Sequence, residues 1–215
     1  MSLWQPLHQL CKLKYFMPCQ LCGLDHQQAH TLCHDCWNDL PWLKQHVQRQ
    51  HCQILAACHY QFPIDRLIHH YKYQQQLHYQ TVLSHCLLQL SLPKVDAIVA
   101  MPISKQRLIQ RGYNQMQIIA KNIATQQKIA LWQPIIRTAQ HSQKGLSRLE
   151  RLQAIHQQFK IKAEEYKRYQ RVLVIDDVVT TGSSFVAMRD ALQRLGCTQV
   201  EFACIAVANS KIRPT

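Results

Sequence analysis

Apolar and polar positions along the chain fall into three regimes. Residues 1 to about 45 show no sustained period and concentrate Cys, His, Trp and Pro, which suits a small loop-rich module. From "CQILAACHYQ" a strand-like run gives way to two helix-like segments within "PIDRLIHHYKYQQQLHYQTVLSHCLLQL", closed by the turn around Ser91–Pro93. After Pro93 the pattern alternates: "VDAIVAMP", "NQMQIIAKNIATQQ", "RVLVIDDVV", "SSFVAMRDALQRLG" and "QVEFACIAVA" read strand, helix, strand, helix, strand. Short apolar strands alternating with amphipathic helices predict an α/β fold, a parallel sheet flanked by helices on both faces. No internal repeat is evident, and the frequent glutamines are scattered rather than tracted.

Length and composition limit the organisation. At 215 residues and 47% hydrophobic, the chain can bury one main core and a small satellite that needs its own staple. This predicts a module over 1–45 and a principal domain over 46–215. Apolar runs break within about eight residues, well short of the ~20 needed to cross a bilayer. "MSLWQPLHQLCKLKYF" has neither a continuous apolar stretch nor a small-residue cleavage site. A soluble cytoplasmic protein without membrane insertion is expected.

The stretch "VLVIDDVVTTGSS", Val172–Ser184, carries the densest chemistry. Val172–Ile175 read as a fully buried parallel strand, Asp176 and Asp177 as its carboxyl end, and Thr180–Ser184 as the turn into a helix starting near Ser184. A helix N-terminus offers open N–H groups and a positive dipole end to a phosphate. Gly182 permits close backbone approach, and the Thr and Ser hydroxyls add donors. Two carboxylates beside such a cradle suit ribose hydroxyls and a magnesium ion, so the stretch predicts a sugar 5′-phosphate site. Each half is common alone, since Ser and Thr are ordinary N-caps; the conjunction carries the reading.

Cysteine spacing gives a second site. Cys19 and Cys22, then Cys33 and Cys36, form two CxxC knuckles able to close a tetrahedral four-thiolate zinc site with no open position, a structural one. His26, His30 and His34 are alternative donors for one cysteine, although four thiolates already complete the shell. Cys11, Cys52, Cys58, Cys86, Cys197 and Cys204 are scattered and read as small core residues. Charge changes the picture once more: of the net +13, +11 falls in Pro102–Arg171, which holds 14 basic and 3 acidic residues. That block favours a polyanionic partner, or else is a solvated helix face.

These residues resemble the ComF family of competence-associated, type I phosphoribosyltransferase-like proteins. The resemblance lies in "VLVIDDVVTTGSS" together with "CQLC…CHDC", "LIHHYKYQQQ", "MPISKQRLIQRGYNQ" and "HSQKGLSRLERLQAIHQQF", in that order over almost the whole chain. It implies a type I phosphoribosyltransferase-like parallel sheet flanked by helices, with a small N-terminal four-cysteine zinc module. It further implies binding of phosphoribosyl pyrophosphate (PRPP), or a related phosphoribosyl ligand, with magnesium. Asp176 and Asp177 would hold the ribose hydroxyls and serve as the catalytic pair, while Thr180, Thr181, Gly182, Ser183 and Ser184 would cradle the 5′-phosphate. Met101–Lys105 would form the pyrophosphate loop. Ser104, Lys105, Arg107, Arg111 and Lys72 would supply its polar and cationic groups, with Gly112, Asn114 and Gln115 completing an R…RGxNQ pattern and Tyr73 following Lys72. Two departures stand out: Ala100-Met101-Pro102 where the family often has Pro-Val-Pro, and Ala154 where it has Asn, downstream of Gln143 and Arg151.

The implied role is natural transformation, handling single-stranded DNA entering the cytoplasm, with other competence-machinery proteins as further partners. Tyr113 and Trp132 are candidate stacking residues, with Trp132 and "QIIAKNIA" reading equally as core and Lys121 and Lys128 as a solvated face. An active transferase with an unknown acceptor is the alternative.

Overall fold

The computed structural model describes residues 17–138, 158–163 and 167–208. The segment expected to carry Gln143, Arg151 and Ala154 lies outside these residues, as does Cys11.

After the cysteine-rich turns, helix α1 spans His34–Asn38 and an antiparallel pair follows, β1 over Trp42–Arg49 and β2 over Cys52–His59. Helix α2 covers Ile64–Tyr73 and α3 Gln80–Leu88. Strand β3, Ala97–Ala100, leads into α4, Lys105–Arg111, and α5, Gln115–Gln127. Short β4, Ala130–Leu131, and a separate antiparallel pair, β5 Ile135–Arg137 with β6 Phe159–Ile161, come next. Then β7 spans Arg171–Val179, α6 Ser183–Gln193 and β8 Gln199–Val207.

The main sheet runs β1-β2-β8-β7-β3-β4. Strands β2, β8, β7, β3 and β4 pair in parallel, and β1 alone is antiparallel, at one edge. The expected parallel sheet with helices on both faces is therefore present. Its cause is legible in the strands: β3 is buried at all four positions, and Val172–Ile175 of β7 are buried on both faces. Leu173 and Ile175 pack with Leu67, Leu83 and Ile119 of α2, α3 and α5, while Val172 and Val174 pack with Met188 and Leu192 of α6. Because the sheet is covered on both sides, apolar runs replace alternation in its central strands.

The cysteine-rich turns join the first of these layers. Leu32 and Leu40 are buried in the cluster built by α2 and α3, and the His30 ring stacks on His85 of α3 at 3.7 Å. Trp132 and the inner face of α5, Ile119, Ala120 and Ile123, belong to the core, whereas Lys121 and Lys128 are exposed. Cys52, Cys58, Cys86, Cys197 and Cys204 are all buried. No helix among the described residues is long and apolar enough to cross a membrane.

Candidate functional site

Strand β7 covers the whole of the run RVLVIDDVV. It passes Asp176 and Asp177 and ends at Val179, because β8 stays paired with it through Val178↔Ala206 and Val179↔Val207. On the other side β3 stops at Ala100, opposite Ile175, so the two carboxylates sit where the sheet opens between β7 and β3. Chain reversals at this carboxyl edge form the crevice in which open α/β sheets place ligands.

Successive side chains on a strand face opposite ways, and the two acids are separated accordingly. Asp176 lines the same pocket as Val178–Phe185, the phosphate-cradle turn. Asp177 turns to the other layer, where Lys72 Nζ of α2 donates to its Oδ1 at 2.7 Å and Gln115 Nε2 of α5 donates to its Oδ2 at 2.9 Å. Burial and the neighbouring Asp177 charge push the Asp176 carboxyl up to about 7. Burial acts in the same sense on Asp177, but the Lys72 charge and the hydrogen bonds from Gln115, Lys72 and the Val178 N–H outweigh it and hold that carboxyl below its ordinary value. Lys72 is raised in return: burial opposes its charge, and Asp177 overcomes the penalty.

The cradle itself is the turn Thr180–Ser184 entering α6. Gly182 is the N-cap at φ +84 and supplies no side-chain cap; in the first turn the Ser183 N–H donates to Thr181 Oγ1 at 3.4 Å and the Phe185 N–H to the Gly182 carbonyl at 3.0 Å. A Cβ at Gly182 would stand 2.8 Å from Arg49 Cβ and 3.2 Å from the Arg49 carbonyl oxygen. Both conformation and contact therefore demand glycine here. The β1–β2 turn that presses on it also reaches Ser183: Gln50 Nε2 donates to Ser183 Oγ at 2.9 Å, and Ser183 Oγ lies 2.9 Å from Thr181 Oγ1. Arg189 Nη1 of α6 donates to the His51 carbonyl at 2.9 Å and ties the turn down.

The loop after β3 is fixed by the residues of the RGxNQ stretch. Ser104 caps α4 by accepting from the Arg107 N–H at 3.3 Å, and Gly112 ends α4 in the left-handed region at φ +82. Asn114 caps α5, accepting from the Met116 N–H at 3.0 Å while its Nδ2 donates to the Met101 carbonyl at 3.2 Å. Arg111 donates to Gln115 Oε1 and lies 5.3 Å from the centre of the Tyr73 ring. The result is a chain of contacts, Tyr73–Arg111–Gln115–Asp177–Lys72. Lys72, Tyr73, Arg107 and Arg111 then share a pocket of about 230 Å³, while Lys105 faces a separate, more apolar pocket beside Ile135 and Ile136. Tyr113 is half-buried, its hydroxyl donating to the Tyr71 carbonyl.

Three contributors had no signal in the sequence. Arg49 and Gln50 come from a hairpin turn more than 130 residues before the cradle. Arg137 of β5 is held over the Phe159 ring at 5.3 Å and donates to Gln158 Oε1, and its charge acts on Asp176.

The four cysteines converge: Sγ atoms of Cys19, Cys22, Cys33 and Cys36 all lie within 4.8 Å of one another, with Cys22 and Cys33 at 3.9 Å. Tetrahedral zinc with Zn–S of about 2.3 Å asks for S···S near ~3.8 Å, so the cluster is compatible with that ion. Backbone N–H groups of Leu21 and Cys36 point at Cys19 and Cys33 Sγ, both at 3.4 Å, and those of Asp25 and Leu24 lower the Cys22 thiol to about 6. Cys36 is pushed up by burial and by its thiol neighbours. Among the described residues no histidine joins this group; His30 packs on Trp37 and His85, and His34 bonds Asn38.

Residues 118–215 match a family model described as a phosphoribosyl transferase domain, the part of the chain that contains β7, the cradle and α6. Competence protein F of Haemophilus influenzae is 29% identical over 203 residues, covering 88% of this chain and 84% of that protein. DNA utilization protein YhgH of Escherichia coli is 27% identical over 206 residues, covering 87% and 82%. Among solved structures, orotate phosphoribosyltransferase from Aeropyrum pernix aligns at 17% identity and a TM-score of 0.39, covering 63% of this chain and 62% of that one. The matched domain contains the cradle, and both relatives align with nearly nine tenths of the chain, so the chain is similar to competence and DNA-utilization proteins and carries a phosphoribosyltransferase-like domain.

Proposed function

We propose that this protein handles single-stranded DNA during natural transformation, and that its transferase-like site binds PRPP with magnesium as part of that role. The observation that carries the ligand reading is the N-terminus of α6, closed by Gly182 against Arg49 and flanked by Asp176 at the open end of the sheet. The 5′-phosphate would lie on the Thr180–Ser184 turn. Magnesium is held by few carboxylates plus substrate phosphates, and Asp176 is the carboxylate that faces the cradle. That ion neutralises charge on the pyrophosphate when bound. The DNA reading is supported by the names of the two relatives and by the basic segment. Zinc in the four-cysteine cluster would be structural.

Transformation frequency in cells carrying Asp176→Asn, with the variant at normal protein level, is expected to collapse. Wild-type frequency would make the phosphoribosyl site dispensable for DNA handling. A second reading, an active transferase, is favoured by the pocket of about 560 Å³ beside the Pro102–Lys105 loop, lined by Ile103, Leu108, Ile135 and Arg137, which is large enough for an acceptor. Release of pyrophosphate on adding candidate acceptors would select it.

A further inference from the structure

Helix α2 has a second face. Its inner side, Ile64, Leu67, Ile68 and Tyr71, is buried, and Lys72 is used by Asp177. Its outer side carries Arg66, His69 and Tyr73, a spacing that keeps one helix face, and Phe62 lies just ahead of the helix, before Pro63. Phe62 is 71% and Tyr73 65% exposed, and Arg66 and His69 between them are exposed too. Leaving two large aromatics in water forgoes their burial energy, and neither is required by the core. From Arg66 to Tyr73 the row is about 10 Å long at 1.5 Å per residue. It ends at the pocket of Tyr73, Arg107 and Arg111, where Arg111 lies over the Tyr73 ring. Among the described residues no carboxylate pairs with Arg66, Arg107 or Arg111. The one acid of α2, Asp65, sits in its first turn and bonds the Arg66 N–H.

Aromatic faces alternating with unpaired cations suit a chain of stacked bases and phosphates, not an apolar partner. We infer that this row is the track for single-stranded nucleic acid. Bases stack on Phe62 and Tyr73, and phosphates lie on Arg66, Arg107 and Arg111. The inference rests on the DNA-handling role proposed above and adds two things to it. It places the strand on α2 and α4, not on the exposed Lys121 and Lys128 of α5; Lys128 lies at the opposite end of α5 from Gln115, beside Leu92 and Leu173. It also makes the strand share Arg107 and Arg111 with the pyrophosphate end of PRPP, so the two ligands exclude each other.

Binding of a labelled oligothymidylate by the full chain, followed by fluorescence anisotropy, tests this. Phe62→Ala and Tyr73→Ala are each expected to weaken it about tenfold, the effect of losing one stacked base. Tyr73→Phe should restore affinity, and Lys121→Glu with Lys128→Glu should change it little. Magnesium pyrophosphate should displace the oligonucleotide, while Phe62→Ala should leave PRPP affinity at the wild-type value. Full affinity in both aromatic variants, or loss confined to the lysine variants, overturns the track; simultaneous binding of oligonucleotide and pyrophosphate overturns the overlap. A wild-type chain that binds PRPP but no oligonucleotide overturns the DNA-handling role itself.

Discussion

Replacing Lys72 by methionine is expected to cost about 3–5 kcal/mol of stability near neutral pH, the penalty of stranding a buried carboxylate. The Lys72 and Asp177 side chains are only 17% and 8% exposed, and their 2.7 Å contact crosses from α2 to β7. The sign with pH follows from the two directions. Asp177 is depressed in the fold, so its contribution is present above the unfolded carboxylate range and fades as pH falls through the folded value; Lys72 is raised, so its contribution persists until strongly alkaline pH. The deficit of Lys72→Met should therefore be full from about pH 5 to 9 and shrink in acid. Adding Asp177→Asn, which removes the stranded charge but keeps an acceptor for Gln115, should recover most of it. Denaturant unfolding of the two single variants and the double variant measures this. A Lys72→Met protein as stable as wild type would mean that the pair does not hold α2 to the sheet.

The other large effect concerns the cysteine cluster. Structural zinc sites contribute roughly 10–16 kcal/mol of apparent binding energy, far more than some 25 ordered residues can draw from a core of their own. Cys33→Ser, or exposure to a strong chelator, should release one zinc per chain. It should also free Leu32 and Leu40 from the α2/α3 layer and break the His30–His85 stack. Metal analysis with limited proteolysis reads both: cleavage is expected before Trp42, while β1 onward stays protected. A folded, protease-resistant chain without metal would remove zinc from the account.

The sheet was legible because its strands are short runs of apolar, often β-branched residues between helical periods, and the four thiols because ligand spacing is local. The division between Asp176 and Asp177 was half legible. Strand alternation separates adjacent side chains in any sequence, but Lys72 lies 105 residues away, and only the packing of α2 and α5 shows which acid is consumed. The run RVLVIDDVV reads as strand to Val179, and β8 pairs with it to that end. Arg49, Gln50 and Arg137 were illegible: their roles come from a hairpin turn and a short strand docking on the cradle side, and nothing in their own neighbours records that docking. The RGxNQ stretch, by contrast, resolves residue by residue into a C-cap, an N-cap and a carboxylate ligand.

Asp177 is a poor probe of ligand binding, since changing it leaves Lys72 without its counter-charge. Asp176 is the clean one. Calorimetric titration of PRPP into wild-type protein and into Asp176→Asn, with and without magnesium, tests the central claim most directly. Saturable, magnesium-dependent binding is predicted for the wild type, weakening as pH falls below about 7, where the Asp176 carboxyl gains its proton. In Asp176→Asn it should weaken at least tenfold with the fold retained. Equal affinity in the variant, or binding indifferent to magnesium, would contradict the assignment of this crevice as the phosphoribosyl site.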